Sequence, residues 1–221
     1  NDTSFLQLSM KKCEERNNLI WKNSYAEKRW PKNTEGGPYA TPVVADGKVY
    51  TLSKRGRVYA RKVSDGSVVW NVNLTNKYGI KLPTWGLAGS PLVLGDRVIL
   101  NAGNYGIAFN KDTGKPLWRN GKGPGGYATP VPFKRNGRTF LAMFVKKEIA
   151  IVSPRNGKVL FTHPWQTRHN VNASDPIVFG DKVFISSGYN KGCTLLRLTN
   201  KGFSTIWRNK EMRTQMNGCV L

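Results

Sequence analysis

The stretch TPVVADGKVYTLSKRGRVYA, residues 41–60, continued by SDGSVVW at 64–70, decides the fold. Pro42 suits the first residue of a strand, where its missing N–H costs no ladder bond. Val43 and Val44 make a short apolar run that stops at Asp46-Gly47, a pair that supplies the positive φ of a tight hairpin. Lys48-Val49-Tyr50-Thr51-Leu52 then alternates polar with apolar, and Arg57-Val58-Tyr59-Ala60 does the same. After a turn carrying Gly66 the last run ends in Trp70. Four short strands fit into about thirty residues.

The same order recurs three times. Ser90-Pro91, Thr129-Pro130 and Asp175-Pro176 open the copies, and Gly95-Asp96, Asn136-Gly137 and Gly180-Asp181 supply their first turns. Gly114, Gly157 and Gly202 mark the last turns, and Trp118, Phe161 and Trp207 close the last strands. Successive prolines lie 49, 39 and 46 residues apart, and the closing aromatics 48, 43 and 46. Four strands at a period near 45 are the signature of propeller blades. The expected fold class is therefore all-β: an incomplete β-propeller of four-stranded antiparallel blades, four full ones with partial blades at both ends. The blades are placed at 41–73, 89–121, 127–165 and 173–209, within a propeller region spanning 38–221. Residues 1–37 form an N-terminal segment in which Leu19-Ile20-Trp21 reads as the last strand of a preceding blade. Residues 217–221 open the next blade, and Phe5 to Asn17 is the one stretch read as a short helix. The expectation is a parent of six to eight blades, with missing blades or self-association completing the ring.

Composition narrows the function classes. Seven Trp, eight Tyr and nine Phe supply a core and exclude a disordered chain. No apolar run approaches the length of a transmembrane helix. Cys13, Cys193 and Cys219 are an odd set with no Cys-x-x-Cys spacing, so neither a disulfide framework nor a zinc site is indicated. A Cys193–Cys219 bridge stays open. The net charge of +22 favours anionic partners, yet it is spread over every blade in runs no longer than pairs such as Lys146-Lys147. That pattern indicates no specific nucleic-acid site. His163 and His169 flank Pro164-Trp165 and read as loop histidines. Gly121 to Gly126 lacks the Gly-Lys-Ser/Thr ending of a phosphate loop and reads as a connection.

The repeats lack the Gly-His and Trp-Asp marks of WD40 blades and the doublets of kelch. TPVVADGKVYTLSKRGRVYA and SPLVLGDRVILNAGNYGIAFNKDTGKPLW instead resemble the pyrroloquinoline-quinone (PQQ) repeat family. The family's closing motif, Ala-x-Asp-x-x-x-Gly-Lys-x-x-Trp, is matched by Ala60, Gly66 and Trp70, and by Ala108, Gly114, Lys115 and Trp118. Its Asp slot holds Lys62, Asn110, Ser153 and Leu198 instead. The resemblance implies a quinoprotein-like propeller whose tryptophans pack between blades. It also implies export to the periplasm or another extracytoplasmic site.

Two functions follow from the resemblance. The favoured one is a non-catalytic binding or scaffold module of the bacterial cell envelope, with an envelope protein or an anionic polymer as partner and no cofactor. The alternative is a fragment of a PQQ-dependent alcohol or sugar dehydrogenase, with PQQ and calcium. The family's dehydrogenases carry a vicinal Cys-Cys pair and an oxygen-rich calcium site. This chain has no Cys-Cys, and only seven acids lie between residues 49 and 221. No catalytic or metal-binding residue is assigned. The loops leading into the first strands carry Trp85, Tyr127, Asn172, Asp175 and Arg213, whose chemistry differs from blade to blade. These five are the candidate ligand-binding residues of an axial channel, with an Asp175–Arg213 pair across it as one arrangement.

Overall fold

The computed structural model describes residues 3–11, 19–28 and 38–219. Four antiparallel sheets of four strands follow one another along the chain, each built from sequence neighbours. Blade one is β3 (Val43–Ala45), β4 (Lys48–Leu52), β5 (Arg57–Lys62) and β6 (Val68–Asn73). Blade two is β7 (Leu92–Leu94), β8 (Arg97–Leu100), β9 (Ile107–Asn110) and β10 (Pro116–Arg119). Blade three is β11 (Val131–Arg135), β12 (Arg138–Phe144), β13 (Glu148–Val152) and β14 (Val159–Pro164). Blade four is β15 (Ile177–Phe179), β16 (Lys182–Ser187), β17 (Gly192–Thr199) and β18 (Gly202–Asn209). The one helix among the described residues, α1 (Leu74–Tyr78), is a single turn between blades one and two, capped by Asn73 and Gly79. This is an incomplete β-propeller.

Burial shows why the middle strands carry the core. Val98, Ile99, Leu100, Ile107, Ala108 and Phe109 are fully buried, and so are Leu141 to Phe144 and Ile149 to Val152 apart from a trace at Ile151. Both faces of these strands pack against neighbouring blades, so they read as continuous apolar runs rather than alternating ones. At the hairpin between β3 and β4, Asp46 and Gly47 take φ of 46° and 70°, the left-handed geometry expected of that pair.

The blades are joined by a repeated contact. The Trp70 indole N–H donates to the Lys111 carbonyl at 2.7 Å, and that of Trp118 to the Pro154 carbonyl at 2.8 Å. Each ring lies flat against a glycine of the next blade. A Cβ on Gly114 would sit 2.7 Å from the Trp70 ring, and one on Gly157 2.6 Å from Trp118. Both glycines also have positive φ, so the glycine serves turn and docking at once. The Lys48–Asp112 pair at 2.8 Å and the Lys111–Asp46 pair add charged links between blades one and two.

Two expectations are revised here. Over Phe5–Lys11 the chain is not helical: β1 (Thr3–Lys11) pairs antiparallel with β2 (Leu19–Lys28) from Thr3↔Lys28 to Lys11↔Leu19. A neighbouring strand offered its ladder, and tertiary pairing overrode local preference. Residues 12–17 lie outside the described residues. Trp21, on β2, makes the same contact with blade one that Trp70 makes with blade two: its N–H donates to the Val63 carbonyl at 2.7 Å, and its ring covers Gly66. His163 belongs to strand β14, opposite Ile149, rather than to a loop.

The absent motif aspartate is replaced locally. In blade two the Asn110 side chain accepts the N–H groups of Asp112 and Thr113 at 3.1 and 2.9 Å, closing the turn as a carboxylate would. In blades one and three the job moves along the turn, to Asp65 accepting from Ser67 N–H and to Asn156 accepting from Lys158 N–H.

Candidate functional site

The residue before each blade's opening proline takes part in a hydrogen-bonded stair. Thr41 N–H donates to the Ser90 hydroxyl at 3.0 Å, and Ser90 N–H to the Thr129 hydroxyl at 3.2 Å. Thr129 N–H donates to Asp175 Oδ1 at 2.6 Å. Each step ties one blade to the next through a side-chain oxygen, and Asp175 fills the slot where blades two and three use a hydroxyl. The residues just before these slots are small because the chains converge. A Cβ on Gly89 would lie 2.4 Å from the Ala128 carbonyl oxygen, and Ala40, Ala128 and Ser174 are buried.

Above the stair lies a cavity of about 870 Å³. Among the described residues its walls carry four aromatic rings, Tyr39, Trp85, Tyr127 and Tyr189, and one carboxylate, Asp175. Asp175 opens to the cavity, yet the surrounding protein desolvates it and raises its carboxyl above the ordinary carboxylate value, against the opposing hydrogen bonds from Thr129. Tyr127 is raised by burial in the same way, and its hydroxyl oxygen accepts the Trp85 N–H at 3.4 Å. The Lys54 ammonium sits 3.5 Å from the centre of the Tyr39 ring, so a cation already stacks on that wall.

Of the five residues expected at an axial channel, the structure gathers Trp85, Tyr127 and Asp175 around one cavity. Asn172 lies beneath it, fully buried. Its amide N–H groups donate to the carbonyls of Val145 and Trp165 at 2.9 and 3.0 Å, and its amide oxygen accepts from the Ser187 hydroxyl at 2.9 Å. Asn172 thus supports the floor and does not line the cavity. Arg213 is exposed, is not among the lining residues, and donates from Nε to the Lys210 carbonyl at 2.7 Å. The expected Asp175–Arg213 pair is replaced by the Asp175–Thr129 bond.

Sequence reasoning missed Tyr189. It stands in the hairpin between β16 and β17, where Tyr189 and Asn190 both take positive φ, 55° and 59°. A large side chain in that conformation is uncommon. The stretch Ser187-Gly188-Tyr189-Asn190-Lys191-Gly192 held the signal, since it is a turn with an aromatic where turn residues belong. Cys193 and Cys219 are free thiols, and the glycine stretch 121–126 is a connection held by Asn101 and Asn104 side chains.

Blades closed by tryptophan on glycine, with the first strands converging beneath a cavity, define a β-propeller of PQQ-type repeats. The family profile described as outer membrane protein assembly factor BamB matches residues 12–221, and the chain belongs to that family. No curated protein matches the sequence. Among solved structures, BamB from Moraxella catarrhalis aligns with a TM-score of 0.61 at 15% identity, over 92% of this chain and 58% of that one. A quinohemoprotein alcohol dehydrogenase from Comamonas testosteroni aligns at 0.54 and 15% identity, over 87% of this chain and 38% of that one. A europium-containing methanol dehydrogenase aligns at 0.54 and 13%, over 87% of this chain and 45% of that one. At these identities the likeness is one of fold, and the chain spans little more than half of the Moraxella protein. Among the described residues no helix is long and apolar enough to cross a membrane.

Proposed function

We propose that this propeller is a non-catalytic binding and scaffold module of the bacterial cell envelope, working outside the cytoplasm. Its cavity above the first strands seats a segment of an envelope protein. The observation that carries this reading is the cavity wall: among the described residues, four aromatic rings around a single, partly desolvated carboxylate. Aromatic rings bind apolar and cationic side chains alike, and the carboxylate selects a basic or amide-bearing residue. An anionic polymer is disfavoured in the cavity, because Asp175 would repel it, and is left to the diffusely basic surface.

The alternative, a quinone-dependent alcohol or sugar dehydrogenase, requires a hard cation held by several oxygens. Asp175 is, among the described residues, the one carboxylate lining the cavity. Among the described residues no three His, Cys, Asp or Glu side chains cluster closely enough to share a metal. That donor set suits a peptide segment better than calcium and quinone. Reconstitution of the protein with PQQ and Ca²⁺ separates the two readings. Dye-linked oxidation of alcohols or sugars would overturn the binding reading. A photo-crosslinker at Tyr189 that captures a defined envelope protein, while one at exposed Lys134 does not, would support it.

Asp175→Asn is expected to weaken partner binding by about 10- to 150-fold, the range of one charge-assisted hydrogen bond. The fold should survive, because the amide oxygen can still accept the Thr129 N–H. The sign of its pH effect is fixed by the raised carboxyl. Between the ordinary value and the raised one, the folded protein holds this proton more tightly than the unfolded chain does, so stability falls as pH rises through that window. Urea unfolding from pH 4 to 7 should show a shallower decline in Asp175→Asn than in the wild type. Equal slopes would contradict the assignment.

A further inference from the structure

Three of the described tryptophans act as inter-blade locks, a fourth repeats their slot on blade four, and Trp85 lines the cavity. Trp165 does none of these things. It follows β14, is 1% exposed, and is held rigidly: its indole N–H donates to the Ser187 hydroxyl at 3.0 Å and its backbone N–H to the Lys147 carbonyl at 2.7 Å. Its carbonyl is fixed by Asn172. Against this immobile ring two cations converge from blade four, the Lys191 ammonium and the Arg208 guanidinium, each 4.9 Å from the ring centre.

A third basic group joins them. His163, on β14, packs edge-on against Phe203 of β18. Desolvation, then Arg208, then Lys191 push its imidazole below the ordinary value. Desolvation and then Arg208 lower the Lys191 ammonium as well. Among the described residues none of the three makes an ion pair; the carboxylates of blade four are engaged elsewhere, Asp181 with Lys182 and Arg197, and Asp175 with Thr129. Two cations on one ring and an imidazole that both of them repel, with no ion-pair partner among the described residues, leave a local positive potential that a small anion would neutralise.

We infer that Lys191 and Arg208, stacked on Trp165 at the junction of blades three and four, form with the His163 imidazole beside Phe203 a binding site for a tetrahedral oxyanion of the phosphate class. The guanidinium offers a fork of N–H donors, the ammonium a point charge, and the imidazole a further donor when protonated. The repeat supports a local purpose. The residue following the closing aromatic is Lys22, Asn71, Arg119, Thr162 and Arg208 in successive blades, so scaffold needs do not dictate a cation there. This site uses none of the cavity-lining residues, and it stands or falls independently of the binding reading given above.

His163 is the reporter that tests it. The chain has only two histidines, so NMR titration of the full chain, with His169→Gln for assignment, isolates the His163 imidazole. Sulfate, which does not titrate between pH 5 and 8, replaces chloride at constant ionic strength. The His163 midpoint is expected to move to higher pH by about half a unit or more, because a bound anion favours the imidazolium. In the Lys191→Ala/Arg208→Gln double variant the midpoint should rise without sulfate, since two repelling cations are gone. Sulfate should then leave it unchanged. The pair Lys191→Arg/Arg208→Lys should restore the response, and Lys134→Ala/Lys201→Ala, on exposed charges elsewhere, should behave as wild type. No movement of the wild-type midpoint would overturn the inference, as would an equal loss of response in the Lys134/Lys201 control.

Vesicle co-sedimentation distinguishes the sources of the oxyanion. Binding to phosphatidylglycerol over phosphatidylcholine vesicles that drops about tenfold or more in the double variant identifies a lipid headgroup. Vesicle binding indifferent to the double variant, beside an intact sulfate effect, identifies a soluble phosphate. The wild-type sulfate response is read first, so a poorly folded variant cannot mask a negative result.

Discussion

Trp118→Ala is expected to lower the unfolding free energy by about 3–5 kcal/mol, the range for truncating a buried tryptophan. The indole is 8% exposed, fills the space above Gly157, and satisfies the Pro154 carbonyl. Truncation opens a cavity between blades two and three and leaves a carbonyl without its donor. Trp207→Ala is the internal control. It occupies the same slot in blade four but is 40% exposed, with Phe184 as its ring neighbour at 6.0 Å. Its loss should cost about 1 kcal/mol, as for a half-exposed side chain. Urea unfolding followed by tryptophan fluorescence and by far-UV circular dichroism measures both. Equal losses would show that the slot, and not the docking onto glycine, sets the stability.

Asn172→Ala should cost about 2–4 kcal/mol, although it removes only a small side chain. The mutation strands two buried carbonyls, those of Val145 and Trp165, and removes the acceptor of the Ser187 hydroxyl. Because Trp165 and Ser187 are themselves bonded, the loosening should spread along this network. Amide hydrogen exchange should show faster opening at Trp165 and Val171 than at Val98 or Ile99, which lie in blade two and share no bond with it. Protection unchanged around Trp165 would place the support of the cavity floor elsewhere.

The contrast between these residues and the cavity wall separates two kinds of information. The slots of Trp70, Trp118 and the turn glycines could be read directly from the period. That the tryptophans pack between blades was what the family resemblance implied, and the docking of each ring on the next blade's glycine is a finding of the structure. The hairpins at Asp46-Gly47 and Asn136-Gly137 were legible for a similarly local reason: only a few residues accept positive φ without cost. The β1–β2 ladder was not legible. Its pairing depends on a partner strand, and strand propensity is a matter of environment more than of the residues themselves.

Site residues divide along the same line. Trp85, Tyr127 and Asp175 stood out because equivalent slots held different chemistry, and they do meet at one cavity. Asn172 stood out by the same criterion, yet a buried amide among carbonyls is an equally good use of that residue, and linear order cannot distinguish the two. Tyr189 and the cations on Trp165 arrive from hairpins and strands of a neighbouring blade, brought together only by the stacking of sheets. The chain alone therefore determined the repeat, the strand order and the slots of the closing aromatics, each set at a constant sequence offset. Tertiary structure alone decided which polar side chains face the cavity, which support its floor, and which basic groups share a ring, because those outcomes depend on where unlike segments converge.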